Sequence, residues 1–347
     1  MKLLSRTIVL VLLTGLAGGA LAADAPATDT AGYSVQHRYA LGGDTGWDYL
    51  ALDPAARRLY VSHGDSVVVL DADNGQRIGS IDGLSGVHGI ALAPAMHRGW
   101  ISNGKSNAVT VFDTGTLKTT ATIKVSGQNP DAILYDPASQ RVFTFNGRSS
   151  NASAIDANSG KLVATIALPG KPEFAVSDGA GHVYVNIEDK SELVDLDPKS
   201  GTLRATWSLA PGESPSGLAL DNAHHRLFAV CDNQQLIVLD AQSGKRVASV
   251  PIGNGPDAAA FDPTRGLVFS SNGQSGTLSV IHEDDPDHYR VVATVPTQTT
   301  ARTMALDPKT GNVYLSAAQF GPHTEQGGPH KRPPIVPGSF TVLVVGK

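Results

Sequence analysis

One short phrase recurs seven times along this chain, and that recurrence constrains the fold more than any other feature. An apolar run ends in Asp-Pro, or a variant of it, at Asp53, Ala93, Asp136, Asp178, Asp221, Asp262 and Asp307. Successive spacings are 40, 43, 42, 43, 41 and 45 residues. The runs are four to seven residues long, rich in Val, Ile, Phe and Tyr, and punctuated by Gly, Pro, Asn and Asp. Such runs read as short strands between turns. A period of 40 to 45 residues built from them is the pattern of four-stranded propeller blades. Helical repeats of similar period need amphipathic stretches at 3.6-residue spacing, and those are absent.

The third repeat shows the logic of a blade. Asp131 to Tyr135 reads as the innermost strand, A. Asp136 to Gln140 is a turn, because Pro presets φ and Asp bonds its own backbone. Arg141 to Phe145 is strand B, Ala152 to Asp156 strand C and Lys161 to Ala167 strand D, with Asn158-Ser-Gly160 turning the chain between C and D. The seventh repeat stops at strand C, and Ser34 to Leu41 is an orphan with the D pattern. Seating that orphan on the last blade closes the ring and removes its open edge. The fold class is therefore all-β: a seven-bladed β-propeller of four-stranded antiparallel blades, closed by the N-terminal strand, over residues 33–347.

The strand motifs YVS, FTF and FSSNG, with the DANSGKLVATI turn and strand, resemble YVTN-repeat propellers. Over essentially all of residues 33–347 the chain is similar to the YncE family of exported seven-bladed propellers. The resemblance implies the same fold. Family members are described as DNA-binding in name, so it also implies single-stranded DNA as one partner to weigh.

Residues 1–22 have a basic start, an apolar run and an Ala-Leu-Ala end, the form of a secretory signal peptide cleaved after Ala22. Residues 23–32 read as a flexible leader. The expectation is a periplasmic or secreted monomer with no membrane span. Loss of Lys2 and Arg6 takes the formal charge from -5 to -7, which disfavours unassisted binding to nucleic acid. Cys231 is the single cysteine, so no intramolecular disulfide forms.

Strand A begins at the top face beside the central channel. The position five residues before each anchor therefore forms a ring around the mouth: Asp48, His88, Asp131, Glu173, Ser216, Asp257 and Arg302. A second set, at the ends of the B strands, comprises His63, Asn103, Asn146, Asn186, Glu188, Asp232 and Asn272. Carboxylates brought into contact repel by ~1–4 kcal/mol per pair. They must be hydrated, share protons, pair with Arg302 or His88, or hold a cation. Oxygen-rich ligands suit Ca²⁺ or Mg²⁺, and an added His admits Zn²⁺. The plain alternative is a hydrated polar channel.

Residues 317–339 form a B-to-C loop far longer than its counterparts, carrying His323, His330, Lys331 and Arg332. It belongs to the top face, either as a lid or as a solvated cover of the closing blade. The HEDDPDH stretch (His282 to His288) looks metal-like but falls in a bottom-face hairpin, and His224-His225 lies in a bottom-face turn. Cys231 reads as a core or rim thiol.

Three functions follow. The first is a binding or scaffold propeller that takes a small ligand, divalent cation or protein partner at the mouth. Its ligand-binding candidates are Asp48, His88, Asp131, Glu173, Asp257, Arg302, Asn103, Asn146, Asn272, Lys331 and Arg332. The alternative is a metal-dependent hydrolase of lactonase type, with Glu173, Asn146, Asn103 and Asp257 around Ca²⁺, Mg²⁺ or Zn²⁺ and His88 or Asp131 as base. The third is single-stranded DNA binding, which an acidic mouth with few aromatics disfavours.

Overall fold

The computed structural model describes residues 32–322 and 333–347. The signal peptide, all but the last leader residue, and His323, His330, Lys331 and Arg332 lie outside the described residues. Seven four-stranded antiparallel sheets make up the fold, and no α-helix occurs among the described residues. The third blade runs Pro130–Asp136, Arg141–Asn146, Asn151–Asp156 and Leu162–Ala167, close to the strand limits expected from sequence. The last blade takes Thr303–Leu306, Val313–Ala317 and Thr341–Gly346 from the C-terminus and Ser34–Ala40 from the N-terminus. Arg38 faces Leu343 and Tyr39 faces Val342 across the closing seam.

The anchor aspartates recur because each holds a turn. Asp53 Oδ1 accepts the backbone N–H of Ala55 and Ala56, and Asp136 Oδ2 accepts that of Ser139. In the second blade, Ala93 has no such oxygen, and Pro94–Met96 form a 3₁₀ turn ended by His97 at φ 51°. The apolar residues of the strands do not meet in one central core. They form seven clusters, one between each pair of neighbouring blades. Phe112 of the second blade, for example, packs against Tyr60 of the first.

Candidate functional site: a cup at the top of the channel

The mouth is built by an irregularity in strand A. In six blades the A–B register slips at the ring position. Trp47 pairs with His63 and Leu50 with Val61, so three steps on strand A match two on strand B. The same slip occurs after Val87, Pro130, Pro172, Pro215 and Pro256. A β-bulge of this kind re-aims side chains. Here the ring residue and, in the first, fourth and sixth blades, its successor (Tyr49, Phe174 and Ala258) line the mouth.

The backbone groups freed by the bulge are held by buried polar side chains on strand B. Ser62 Oγ accepts the Asp48 N–H at 2.8 Å, and Ser102 Oγ accepts that of Gly89 at 2.8 Å. Several of these groups also reach the next blade. Ser102 donates to the Asp131 carbonyl at 2.5 Å, Asn186 to the Ser216 carbonyl at 2.9 Å, and Ser271 to that of Arg302. The Ser of the YVS-type strands is thus a clasp for the ring.

All seven ring residues line one cavity of about 440 Å³. Asp48, Asp131, Glu173, Asp257 and Arg302 keep side-chain exposures of only 17–24 %. His88 Nδ1 lies 2.7 Å from Asp48 and 3.5 Å from Asp131. Arg302 donates to Asp257 at 2.8 Å and stands 3.7 Å from Asp48. Lys171, which sequence reasoning passed over, lies 3.1 Å from Glu173 and also pairs with Glu188. A second cavity of about 480 Å³ adjoins the first and shares Trp47, Glu173, Ser216, Asp257 and Arg302 with it.

The protonation of this cup is set by crowding. Burial, then the charge of Asp48, pushes the Asp131 carboxyl up to about 6 against the relief offered by His88. Burial and the charge of Asp131 push Glu173 up to about 8. Burial alone would lower His88, but its bond to Asp48 and the charges of Asp131, Asp48 and Glu173 raise it.

The floor of the cup was not visible in the repeat. Tyr49 and Phe174 follow the ring residues of the first and fourth blades, which are not neighbours, yet their rings stack at 5.6 Å. They meet across the axis, and both line the cavity. The same position elsewhere holds Gly89, Ala132, Gly217, Ala258 and Thr303. Two large rings thus fill what five small residues leave open. The signal was the pair of aromatics in an otherwise small-residue position. Trp47 also lines the cup. It is 8 % exposed, packs on Phe320 and Phe340, and has a buried indole N–H without a partner among the described residues.

Asn103, Asn146 and Asn272 of the second set are not at the mouth. Asn103 Nδ2 donates to Thr110 Oγ1, Asn146 Nδ2 to Ser153 Oγ and Asn272 Nδ2 to Ser279 Oγ, each at 3.0 Å and each buried within its own blade. They tie the end of strand B to strand C. Glu173, Asn146, Asn103 and Asp257 therefore do not converge on one ion. His63 stacks on Phe340, while Glu188 and Asp232 line the adjoining cavity. Asp48, His88 and Asp131 instead bring one ligand atom each within 4.8 Å of one another.

At the bottom face, His224 bonds Asp221 at 2.6 Å and approaches Glu283 at 3.6 Å, joining two expected turns into one ion-pair cluster. Cys231 is buried, and burial pushes its thiol up to about 12.

A closed ring of seven four-stranded blades with a polar cup at its top defines a repeat β-propeller. The chain belongs to the propeller family whose model is described as outer membrane protein assembly factor BamB, which matches residues 63–284 and, in an overlapping register, 148–346. Its YncE-like character also has counterparts among curated relatives. It is 28 % identical over 150 residues to the uncharacterized protein YncE of Salmonella typhimurium, and 27 % identical over the same length to that of Salmonella typhi. These matches cover 42 % of this chain and 41 % of each relative. Among solved structures, the hydrazine synthase of Kuenenia stuttgartiensis superposes with a TM-score of 0.69 at 17 % identity, over 79 % of this chain and 92 % of that one. The WD40 repeats of RRP9 give 0.74 at 9 % identity, over 92 % and 99 %. At these identities the likeness is one of fold.

Proposed function

We propose that this protein is an exported binding propeller whose top-face cup takes a small, positively charged ligand. The observation that carries the reading is the unequal pairing of the ring. Asp257 is bonded to Arg302 and Glu173 to Lys171, whereas the one ion pair of Asp131 among the described residues is with the titratable His88. A cation placed there relieves the mutual repulsion of Asp48 and Asp131. Carboxylates at the mouth repel a phosphate backbone, so the same observation weighs against single-stranded DNA. The asparagines are committed inside their blades, which removes support for the lactonase-type metal set.

Export is part of the proposal and rests on the form of residues 1–22. No helix of the described residues is long and apolar enough to cross a membrane.

Thermal denaturation of the purified protein with Ca²⁺, Mg²⁺, Zn²⁺ and small organic amines tests the reading. A ligand at 100 times its Kd adds about 2.7 kcal/mol to stability. The expected result is stabilisation by at least one cation, lost in Asp131→Asn. No shift with any cation, or an equal shift in the variant, overturns it.

A further inference from the structure

Resting on the cationic-ligand reading, we infer that the cup is shaped for an organic cation with an apolar body, such as an amidine or a substituted ammonium, rather than for a bare metal ion. Three observations converge. The first is size. A metal ion held by Asp48, His88 and Asp131 occupies a small corner of a cavity of about 440 Å³, a volume in the range of small-molecule sites.

The second is the floor. A channel that only needed to stay hydrated would gain nothing from two aromatic rings meeting across its axis. Tyr49 and Phe174 stack on one another and give the cavity an apolar surface. Aromatic rings attract a nearby cation and give its hydrocarbon part a surface to cover. A hard divalent ion instead takes six or more oxygen ligands and gains little from such a base.

The third is the set of polar groups around the two rings. The Tyr49 phenol lies among the acids of the cup, and burial together with the charges of Asp131, Asp48, Glu173 and Asp257 pushes its pKa well up, so it keeps its proton. The Asp131 and Asp48 carboxylates are placed to accept N–H donors, as guanidinium, amidinium and ammonium groups require. The ligand therefore has a cationic head at Asp131 and Asp48, and a flat or aliphatic flank on Tyr49 and Phe174.

Isothermal titration of the intact protein with four probes tests both halves. Benzamidine carries charge and body. Benzamide carries the body without the charge, guanidinium the charge without the body, and Zn²⁺ stands for a metal ion. Benzamidine is expected to bind at least tenfold more tightly than either benzamide or guanidinium, and Asp131→Asn to abolish the preference over benzamide. Tyr49→Leu and Phe174→Leu are expected to weaken benzamidine roughly three- to tenfold, in line with the strength of cation–ring contacts. Because the probe comparison uses the unaltered chain, it decides the matter even where a floor variant folds poorly. Equal binding of benzamidine and benzamide overturns the proposal, as does full affinity in a well-folded floor variant. Binding of Zn²⁺ alone overturns this proposal and leaves the cationic-ligand reading standing. Binding of none of the four removes both.

Discussion

Asp131 is the residue on which the cup's electrostatics turn, and its protonation gives a signed expectation. Its carboxyl is raised to about 6 by burial and by Asp48, and Glu173 is raised to about 8 by burial and by Asp131. A raised carboxyl keeps a proton in the folded state that the unfolded chain has already released. Between about pH 4 and pH 8 the folded state therefore binds more protons, and stability falls as pH rises through that window. Below the ordinary carboxylate range the effect vanishes; above about 8 it is complete. Asp131→Asn removes part of the penalty, so it is expected to raise Tm at pH 8 by about 2 °C, as a gain of about 1 kcal/mol does in a large domain, and to leave Tm at pH 4 unchanged. Thermal melts of both proteins across pH 4–9 check this; a variant less stable at pH 8 would mean that Asp131 is a net structural contributor. Cation binding carries the complementary sign, since a cation prefers the ionised cup and should bind more tightly as pH rises from 5 to 9.

At the scale of the strand, the periodic part of the fold was legible and the aperiodic part was not. Blade number, strand order, the closing strand and the ring of seven all follow from residues that recur at one offset from the Asp anchor. Asn103, Asn146 and Asn272 recur just as regularly, and regularity alone misled: an amide at a strand end either faces the channel or bonds its own blade, and the bulge decides which. The bulge is marked only by the Pro before the ring residue in four blades and the clasping Ser in three. A second recurrence also went unread. Arg58, Arg98, Arg141 and Arg226 each open a B strand, and each donates to a carbonyl in the C–D turn of the following blade. Arg141 bonds the Pro198 and Lys199 carbonyls, both at 2.8 Å. These latches supplement the apolar interfaces. Arg141→Ala is expected to cost about 1–2 kcal/mol, the range for hydrogen bonds from a charged donor. Arg148→Ala, at an exposed loop site, should stay within about 0.5 kcal/mol. Urea denaturation of the two variants distinguishes them, and equal midpoints would deny the latch a role.

At the scale of the whole ring, the cup is completed where the seventh blade meets the first. Arg302 is bonded to Asp257 on one side and to the Trp47 carbonyl on the other, so the sixth, seventh and first blades meet at one side chain of the mouth. Thr303 adds a 2.6 Å bond to the Asp48 carbonyl across the same junction. The closing strand is held at both ends. Tyr33, 2 % exposed, packs edge-on against Phe269 of the sixth blade, and Thr341 Oγ1 donates to the Tyr39 carbonyl at 3.1 Å. Loss of the strand uncovers the edge of Thr341–Gly346, a run of Val and Leu with free backbone groups, and such an edge recruits another strand. A chain lacking residues 33–40 is therefore expected to melt earlier and to associate in proportion to its concentration, measured by calorimetry and by light scattering on a sizing column. Tyr33→Ala, which keeps the strand but removes its buried ring, should cost about 3–5 kcal/mol, as aromatic truncations in cores do, while the protein stays monomeric. If the shortened chain instead stays monomeric, melts as before and still binds its cation at Asp131, then the ring is held by its seven apolar interfaces alone and the N-terminal strand is dispensable to the cup.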